Sequence, residues 1–459
     1  MLFTIDIGTS TFKTALWDFD GKRLSFKTAP LSIIINNGIK HEADPSSWET
    51  AFEECCKKTG DLSKVQAIVI SGNGPSLVPV LEEGKPENAR LWLDRRACKY
   101  TAEITEKAGS CADARFFLPK IYYIKKEENE LYQKTKYFLG CPEYLAFMLT
   151  GHAKTVFPCE GFDFWFWNDQ TLKKLDLDSE KFPPFIRPAD LFGELKPHIA
   201  EKYGFVKNIP VISGGPDFFA AILGSGITEA GQACDRTGSS EGINLCTKNC
   251  VNDKRLMSYS HPIKPFWNLS GTINTTGKAI EWASSILNVN TFDDFIALAK
   301  NGEPGSKGLV FKPYLAGVHA PHWDSSDKGI WHGINLSTGR SEFASSVLEG
   351  IGFAMKEIIC AMEESGEKGK QLHVTGGLAG CGVLNQIKAD ITGLEVLEGV
   401  YKEAEMLGLA IIGSVFLGRY SSFKEASLKM VKIEKKYKPN IENKTLYNNL
   451  FNVYKKRRD

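Results

Sequence analysis

Short apolar runs that end in glycine-containing turns recur along this chain and limit the folds it can adopt. They read as buried strands and are LFTIDIG at 2–8, VQAIVISGNG at 65–74, IPVISGGPD at 209–217 and QLHVTGG at 371–377. Between them, apolar residues recur at three- and four-residue spacing over 342–364 and 403–418, which is typical of helices. A further helix is predicted over 44–57, capped by Asp44 and starting with Pro45. Alternating strands and helices predict an α/β fold.

The length of the chain, 459 residues, exceeds what one hydrophobic core usually fills, so two domains are expected. Small and polar residues interrupt the pattern at GSGITEAGQ, 224–232. We therefore predict an N-terminal domain over 1–226 and a C-terminal domain over 227–459. Each half opens with strands joined by a turn of Gly, Thr and Ser, DIGTST at 6–11 and DRTGSSEG at 235–242. Two such modules would enclose a cleft, where ligands commonly bind.

The composition excludes several classes of protein. With 56 basic against 55 acidic side chains, nothing argues for a nucleic-acid or membrane partner. No uninterrupted apolar run approaches ~20 residues and the N-terminus lacks a signal-peptide pattern, so we expect a cytoplasmic protein. The 11 cysteines show no CxxC spacing, which favours reduced, mostly buried thiols over a disulfide framework or a permanent metal site.

The opening segment TIDIGTSTFKTAL places a carboxylate, Asp6, at the end of a strand, followed by Gly8, hydroxyl residues and Lys13. Backbone N–H groups, hydroxyls and an ammonium suit phosphate oxygens, and Asp6 suits Mg²⁺. A polar β-hairpin turn without a ligand is the alternative. Neither the Walker loop nor the dinucleotide fingerprint fits this segment. Because the following apolar run ends in Asp20-Gly21, a hairpin signal, any phosphate here would be held by a hairpin turn.

A second carboxylate, Asp217, follows a strand and a double glycine in GGPDFFAAILGSG, 214–226. It precedes a helix of small residues, whose positive N-terminal end would face it. Two interpretations are open: a helix N-cap, or a general base displayed at the cleft. If the opening turn holds a terminal phosphate, the general base is favoured, because phosphoryl transfer to a hydroxyl needs a proton acceptor.

Three segments of the second half carry glycine beside hydroxyl or small residues. They are DRTGSSEG at 235–242, NTTGKAIEW at 274–282 and VTGGLAGCGVLNQIKADITG at 374–393. In the last segment a strand leads through Gly376 and Gly377 into a helix that ends at Gly393. Small residues there would let an adenine or an α-phosphate lie against the backbone. Tight packing turns between strand and helix are the alternative.

Taken together, these segments resemble the FGGY carbohydrate kinases, in their xylulokinase-like, pentulose kinase branch. DIGTSTFK resembles the first phosphate segment of the family, GGPDFFAAILGSG its catalytic segment, and EAEMLGLAIIGSV its closing helix. The long signature resembles FKPYLAGVHAPHWDSSDKGIWHG and the residues after it, and VTGGLAGCGVLNQIKADITGLEV resembles the adenosine segment. The resemblance covers nearly the whole chain. It implies two ribonuclease H-like domains of the actin, hexokinase and chaperone ATPase type, with a cleft between them.

The resemblance also implies roles for individual residues in an ATP- and Mg²⁺-dependent transfer to a sugar. Asp217 would be the general base on the sugar hydroxyl, and Asp6 would position Mg²⁺ and the transferring phosphoryl group. The implied phosphate contacts are Gly8, Thr9, Ser10, Thr11 and Lys13, with Gly238 and Ser239 from the second domain. The other implied nucleotide contacts are Gly277, Glu281, Gly376, Gly377, Cys381 and Asn385. Closure of the cleft would align the hydroxyl and exclude water.

The positions that would read the sugar depart from the family pattern. Where relatives carry Gln-Met-His or Gln-Arg-Glu, this chain has Asn73, Gly74 and Pro75, and Phe218 replaces an amide after the general base. Each unmet buried hydroxyl of a sugar costs roughly 1–3 kcal/mol, so these losses argue for a different ligand. Other groups that could read it are Asp94, Arg95, Arg96, Trp165, Trp167 and His319.

Three functions therefore stay open at this stage. The favoured one is a sugar or polyol kinase, with a ketopentose such as D-xylulose as the default substrate and other keto sugars, deoxysugars, polyols or signalling carbohydrates as alternatives. The second is a non-catalytic regulatory relative that retains ATP binding. The third is an ATPase of the wider fold that acts on a protein or a cofactor. Dimers are common in the family, so a homodimer is an expectation, although no stripe of the sequence places its interface.

Overall fold

A computed structural model describes residues 1–36, 38–109, 112–163 and 166–456. Within these ranges the chain forms two compact units. Unit 1 combines Met1–Ala220 with Glu405–Met430, and unit 2 combines Ala221–Ala404 with the residues from Val431 onward. The division between residues 226 and 227 stays a prediction.

Unit 1 is built on a mixed sheet whose three central strands are parallel. In spatial order its strands are β12 (Leu191–Glu194), β13 (Pro210–Pro216), β6 (Ala67–Gly72), β1 (Leu2–Ile7), β2 (Thr11–Trp17) and β3 (Arg23–Pro30). β13, β6 and β1 run parallel, whereas β12, β2 and β3 pair antiparallel with their neighbours. All residues of β1 and β6 are buried, as expected of parallel strands covered on both faces. The predicted hairpin at Asp20-Gly21 joins β2 to β3.

A second sheet of unit 1 is antiparallel. In spatial order it comprises β4 (Ile34–Asn36), β5 (Lys40–Ala43), β8 (Ala89–Arg90), β7 (Leu77–Leu81) and β9 (Thr135–Gly140). The short strands β10 (Thr155–Val156) and β11 (Phe185–Ile186) form a separate parallel pair. Because β6 and β7 are joined by the segment 73–76, this segment lies where the two sheets of unit 1 meet.

Unit 2 is built on a seven-stranded mixed sheet. In spatial order its strands are β16 (Met257–Ser260), β17 (Trp267–Ile273), β15 (Glu241–Thr247), β14 (Gln232–Thr237), β20 (Gln371–Thr375), β21 (Glu395–Gly399) and β22 (Ile433–Tyr437). β14, β20 and β21 run parallel and the other pairs are antiparallel. A short hairpin pairs β18 (Val310–Lys312) with β19 (Ile330–His332).

Helices alternate with these strands, which confirms the predicted α/β class. They are α1 (Ser46–Thr59), α2 (Thr101–Ala108), α3 (Phe117–Glu127), α4 (Asn129–Lys134), α5 (Cys141–Thr150), α6 (Asp169–Lys174), α7 (Pro197–Tyr203), α8 (Asp217–Gly224), α9 (Gly277–Ile286), α10 (Phe292–Lys300), α11 (Arg340–Glu364), α12 (Gly382–Thr392), α13 (Ala404–Phe416), α14 (Phe423–Met430) and α15 (Lys444–Lys455). The first helix begins one residue later than predicted, because Pro45 is its N-cap; the Asp44 carboxylate accepts from the Ser46 N–H at 2.9 Å.

Most of the cysteines in the described ranges are buried, whereas Cys111 lies outside those ranges. None of the helices in the described part of the chain is long and apolar enough to cross a lipid bilayer.

Packing against the central sheet of unit 1 is tested by Phe3→Ala. The Phe3 ring is 0% exposed and packs edge-to-face on Phe205 with ring centroids 5.5 Å apart. Its truncation should lower the free energy of unfolding by about 3–5 kcal/mol. The matched control is Leu24→Ala on β3 of the same sheet, where the side chain is 46% exposed and the loss should stay below about 0.5 kcal/mol. Urea unfolding monitored by circular dichroism compares the two; equal losses would contradict this description of the core.

Candidate active site

The turn between β1 and β2 is the site that the opening segment predicted. The Gly8 N–H donates to the Thr11 carbonyl at 3.0 Å and closes a tight hairpin. A Cβ at Gly8 would lie 2.8 Å from that carbonyl oxygen, so only glycine fits this turn. The Thr9 hydroxyl accepts from the Trp92 indole N–H at 3.0 Å, while Ser10 is exposed. The segment therefore forms a hairpin turn with Ser10 exposed to solvent, and its binding of phosphate stays a prediction.

Lys13 lies directly across from Asp6 in the β1–β2 ladder. Its Nζ donates to Asp6 Oδ2 at 3.2 Å and to Glu405 Oε1 at 2.6 Å. Glu405 belongs to α13, and its side chain is 12% exposed. The sequence analysis missed Glu405 because 392 residues separate it from Lys13 and no local pattern pairs them.

Asp6 is buried at 3% exposure, and its burial raises the pKa of the carboxyl to about 6. The Lys13 ammonium opposes this shift, whereas the Glu405 and Asp217 carboxylates add to it. Asp6 Oδ1 is buried with no hydrogen-bond partner among the described residues. A carboxylate oxygen of this kind fits Mg²⁺, which is commonly held by one or two carboxylates together with phosphate oxygens. No cluster of three or more His, Cys, Asp or Glu in the described ranges could hold a metal by itself.

Asp217 is the first residue of α8, directly after β13. Parallel strands present their carboxyl ends at one edge of a sheet, and Pro216 pairs with Gly72, which pairs in turn with Ile7. Asp217 thus follows a strand two positions across from the strand that carries Asp6, about 10 Å by strand spacing. The electrostatic effect of Asp217 on Asp6 agrees with this placement.

The segment 73–76, which contains the predicted substrate-binding residues Asn73, Gly74 and Pro75, is held by contacts within unit 1. The Asn73 amide donates to the Ile7 carbonyl at 2.9 Å and its oxygen accepts from the Ser76 hydroxyl at 2.5 Å. The Pro75 carbonyl accepts from Lys120 Nζ at 2.5 Å. Lys120 is 2% exposed, and burial lowers the pKa of its ammonium to about 7. The sequence analysis missed Lys120, which sits on α3 without any distinguishing local motif.

Asp94 and Arg96 were also predicted to bind substrate, and the structure pairs them with each other. Arg96 Nη2 lies 2.8 Å from Asp94 Oδ2 and 2.8 Å from Glu42 Oε1. Arg90 contributes a second cation, at 2.8 Å from Glu42 and 2.6 Å from Glu128. Asp94 also accepts from the His41 N–H at 3.0 Å. The polar groups of Asp94 and Arg96 are therefore engaged in a largely buried ionic network.

Aromatic side chains line the region around Phe218. The Phe218 ring stacks on Phe162 with centroids 5.1 Å apart, and Trp167 packs against Phe182 at 4.8 Å. Trp165 lies outside the described residues. Nearby, a cavity of about 40 Å³ is lined by residues that include Gly72–Pro75, Cys141, Phe166 and Pro216.

The structure also shows polar contacts of two further candidates for sugar reading. Arg95 is exposed, and its N–H donates to the Ile39 carbonyl at 2.9 Å. His319 belongs to unit 2, where its Nδ1 lies 3.2 Å from the Thr272 hydroxyl and its ring stacks on Trp323.

In unit 2, the turn between β14 and β15 carries Gly238 and Ser239. Backbone bonds attach it to the start of α9: the Gly277 N–H donates to the Gly238 carbonyl at 2.9 Å and the Thr276 N–H to the Ser239 carbonyl at 3.0 Å. Glu281 lies on the exposed side of α9, 2.6 Å from Lys278 Nζ. The structure therefore joins Gly238, Ser239 and Gly277 and leaves Glu281 on the surface.

A cavity of about 1000 Å³ opens in unit 2 at the Gly376–Cys381 turn. Gly377 and Cys381, which the resemblance implies as nucleotide contacts, line this cavity. Gly376 has φ +95° and would place a Cβ 2.4 Å from the Thr237 carbonyl oxygen, which explains the glycine. Asn385 is fully buried, and its amide holds the turn by donating to the Ala379 carbonyl at 2.7 Å.

Other residues that line this cavity were missed by the sequence analysis. They include Phe292 and Ile296 of α10 together with Glu349, Lys402 and Tyr437. The apolar face of α10 is readable from its spacing, but nothing in the sequence shows which cavity it lines. A cavity of this size with an apolar wall, glycine backbone and a few polar groups can hold a nucleoside.

Two models of one protein family match most of the chain. Residues 1–224 match the FGGY family of carbohydrate kinases, N-terminal domain, and residues 236–417 match the C-terminal domain of that family. A xylulose kinase from Bacillus subtilis (strain 168) is 27% identical over 475 residues, covering 98% of this chain and 95% of the relative.

Solved structures show the same fold. A gluconate kinase from Lactobacillus acidophilus has a TM-score of 0.88 at 23% identity and covers 100% of this chain and 97% of its own. A Plasmodium falciparum glycerol kinase with ADP has a TM-score of 0.86 at 21% identity, with 99% and 97% covered. The two-domain, actin-like α/β fold expected from the sequence is confirmed. The chain belongs to the FGGY family of carbohydrate kinases, phosphotransferases that act on a sugar hydroxyl.

Proposed function

We propose that this protein transfers the γ-phosphoryl group of Mg·ATP to a hydroxyl of a small sugar or polyol, with Asp217 as the general base. The observation that carries the proposal is the shared sheet edge of Asp217 and Asp6, which is close enough for the Asp217 charge to act on the Asp6 carboxyl. ATP use is a property of the family, and the glycerol kinase structure with ADP supports a nucleoside diphosphate as a product.

The transfer uses few protein groups. The Asp217 carboxylate accepts the proton of the substrate hydroxyl while the oxygen of that hydroxyl forms a bond to the γ-phosphorus. The bond between that phosphorus and the β–γ bridging oxygen breaks, and ADP leaves. Asp217 begins α8, so its carboxylate lies in the first turn of that helix.

The turn 8–11 and Lys13 contact the β- and γ-phosphates in this proposal. Lys13 is held by Asp6 and Glu405 in the described structure, so its ammonium is oriented before a nucleotide binds. Asp6 Oδ1 is the oxygen that would hold Mg²⁺, whose chemistry when bound is to neutralise phosphate charge. On the nucleotide side, Gly238, Ser239, Gly277, Gly376, Gly377 and Cys381 are the proposed contacts.

Ketoses are the first class of substrate to test, with the ketopentose D-xylulose as the reference compound. The Bacillus subtilis relative is a xylulose kinase and the Lactobacillus acidophilus structure a gluconate kinase, so a sugar acid is the second class to test. The internal pairing of Asp94 with Arg96 and of Asn73 with Ser76 leaves fewer polar groups for sugar hydroxyls. This supports a substrate that differs from those of relatives with intact sugar-reading positions.

Replacing the proposed general base tests the chemistry. Asp217→Asn should lower kcat by about 10²–10⁴-fold, because the amide cannot accept the proton. The affinity for ATP should change little, since the base acts only in transfer. Coupled ADP release gives kcat and calorimetry gives the nucleotide Kd, with the exposed Asp190→Asn as a matched control in the same unit. Wild-type turnover in Asp217→Asn would overturn the mechanism.

Replacing the proposed Mg²⁺ ligand has a different signature. Asp6→Asn should lower kcat by about 10²–10³-fold and should also raise the Mg²⁺ concentration needed for half-maximal rate. Titration of the rate with Mg²⁺ at fixed ATP measures both effects. The control is Asp20→Asn, an exposed carboxylate in the next turn of the same sheet. An unchanged Mg²⁺ requirement would remove Asp6 from this role.

The departures at Gly74, Pro75 and Phe218 predict a shifted specificity. D-Xylulose and glycerol should both show KM values above about 1 mM, because groups that read their hydroxyls are absent. A panel of ketoses, aldoses, polyols and sugar acids, assayed with Mg·ATP, should contain a better substrate. Micromolar KM for D-xylulose would show that other groups replace the missing readers.

A further inference from the structure

An ionic cluster lies completely inside unit 2 and joins two strands of its main sheet to a helix. Lys388 Nζ donates to Asp235 Oδ2 at 2.6 Å and to Glu241 Oε1 at 2.6 Å. The three side chains are 0% exposed. We call Asp235, Glu241 and Lys388 the buried triad.

The buried triad is not explained by stability alone. Burial of charge is costly, and apolar residues of similar volume are commonly as stable as a buried ion pair. Burial, and then the neighbouring Glu241 carboxylate, raise the pKa of the Asp235 carboxyl well above its usual range, although Lys388 opposes this. Asp235 Oδ1 has no hydrogen-bond partner within the described part of the chain. Because these charges are costly to bury, we expect the cluster to have a role besides packing.

The position of the buried triad supplies that reason. Asp235 lies in β14 and Glu241 begins β15, so the two carboxylates flank the turn that carries Gly238 and Ser239. Lys388 lies in α12, the helix that starts immediately after Cys381 at the 1000 Å³ cavity. One ammonium therefore ties the turn to the helix that borders the cavity.

A third element joins through the second oxygen of Glu241. The Thr276 hydroxyl donates to Glu241 Oε2 at 2.9 Å, and Thr276 is 0% exposed at the N-cap of α9. The Thr276 and Lys278 N–H groups in turn donate to the Ser239 carbonyl at 3.0 and 3.2 Å. The chain of contacts runs from α12 through Lys388 and Glu241 to Thr276 and the turn.

We propose that Lys388 is a positioning residue for nucleotide binding, which acts through Glu241 and Thr276 to hold the 238–240 turn in register with α12. The inference rests on the proposed function, in which the turn contacts phosphate and the α12 end of the cavity contacts the nucleoside. Charged hydrogen bonds have short, directional geometry that an apolar contact lacks, so they fix one register among several of similar energy. Because the Lys388 side chain is fully buried, its effect on the nucleotide would be indirect.

A neutral triple variant tests the proposal without leaving a charge unpaired. Lys388→Met, Asp235→Asn and Glu241→Gln together keep similar volumes and remove the ionic geometry. The Kd for ADP, measured by calorimetry, and the KM for ATP should both rise by about tenfold or more, because misplacement of contact groups is costly. The KM for the sugar and the kcat at saturating ATP should change less than about threefold. A role in folding alone would not raise the ADP Kd and the ATP KM while leaving the sugar KM and kcat nearly unchanged.

A milder pair of variants gives the same test if the triple variant does not fold. Thr276→Val removes the hydroxyl that donates to Glu241 at nearly constant volume, and Thr276→Ser restores it. The ADP Kd should rise about threefold in Thr276→Val and return to the wild-type value in Thr276→Ser. The control Lys181→Met removes a buried lysine of unit 1, whose Nζ donates to the Thr135 carbonyl at 2.6 Å, and should leave the ADP Kd unchanged.

The outcomes separate this proposal from the proposed function. An ADP Kd within about twofold of wild type in the folded triple variant, or in Thr276→Val, would overturn the positioning role of Lys388 while the kinase function stands. Wild-type protein that binds neither ADP nor ATP would overturn both. Retained activity in Asp217→Asn would overturn the mechanism and leave the ADP-binding test of the buried triad intact.

Discussion

Hydrogen bonding between the parallel strands β1, β6 and β13 fixes where the proposed reacting groups of unit 1 lie. Parallel pairing brings the carboxyl ends of all three strands to one sheet edge, so Asp6, the 73–76 segment and Asp217 are neighbours although they are distant in sequence. The antiparallel hairpin β1–β2 then sets Lys13 opposite Asp6. A slip of one residue in that hairpin would turn Lys13 to the other face of the sheet. The chemistry proposed for unit 1 therefore depends on backbone register before it depends on any side chain.

Charge is buried in both units in clusters where cations and carboxylates alternate. Lys13 lies between Asp6 and Glu405, Arg96 between Asp94 and Glu42, and Lys388 between Asp235 and Glu241. Clusters of this kind orient polar groups in advance, which reduces the reorganisation that a reaction requires. They also make single substitutions hard to interpret, because removal of one partner leaves the other charge buried without its partner. Neutral multiple variants are the better probes of such sites.

The sequence analysis predicted those parts of the fold and site that local chemistry marks. Strand runs ending in glycine marked β1, β6, β13 and β20, and the Gly376-Gly377 turn marked one wall of the unit 2 cavity. The α/β class followed from these patterns, whereas the family was indicated by the resemblance of segments along nearly the whole chain. Asp6 and Asp217 stood out because each ends a strand beside a glycine turn.

What the sequence analysis missed depends on long-range contacts. Glu405 meets Lys13 across 392 residues and Lys388 meets Asp235 across 153, and neither pair leaves a trace in spacing or composition. Lys120 on α3 reads as an ordinary helical lysine until its contact with the Pro75 carbonyl is seen. Asp94 and Arg96 looked available to a ligand, whereas in the structure they pair with each other. Whether a polar group already has a hydrogen-bond or ionic partner depends on the folded structure and cannot be seen in the sequence alone.

The most direct test of the central claim is ³¹P NMR of wild-type protein with Mg·ATP and the best sugar from the panel, beside Asp217→Asn. The account predicts a new phosphomonoester signal that grows in equal amount with ADP in the wild type and is absent from the Asp217→Asn reaction. ADP accompanied only by inorganic phosphate, or a phosphomonoester formed equally well by both proteins, would contradict it.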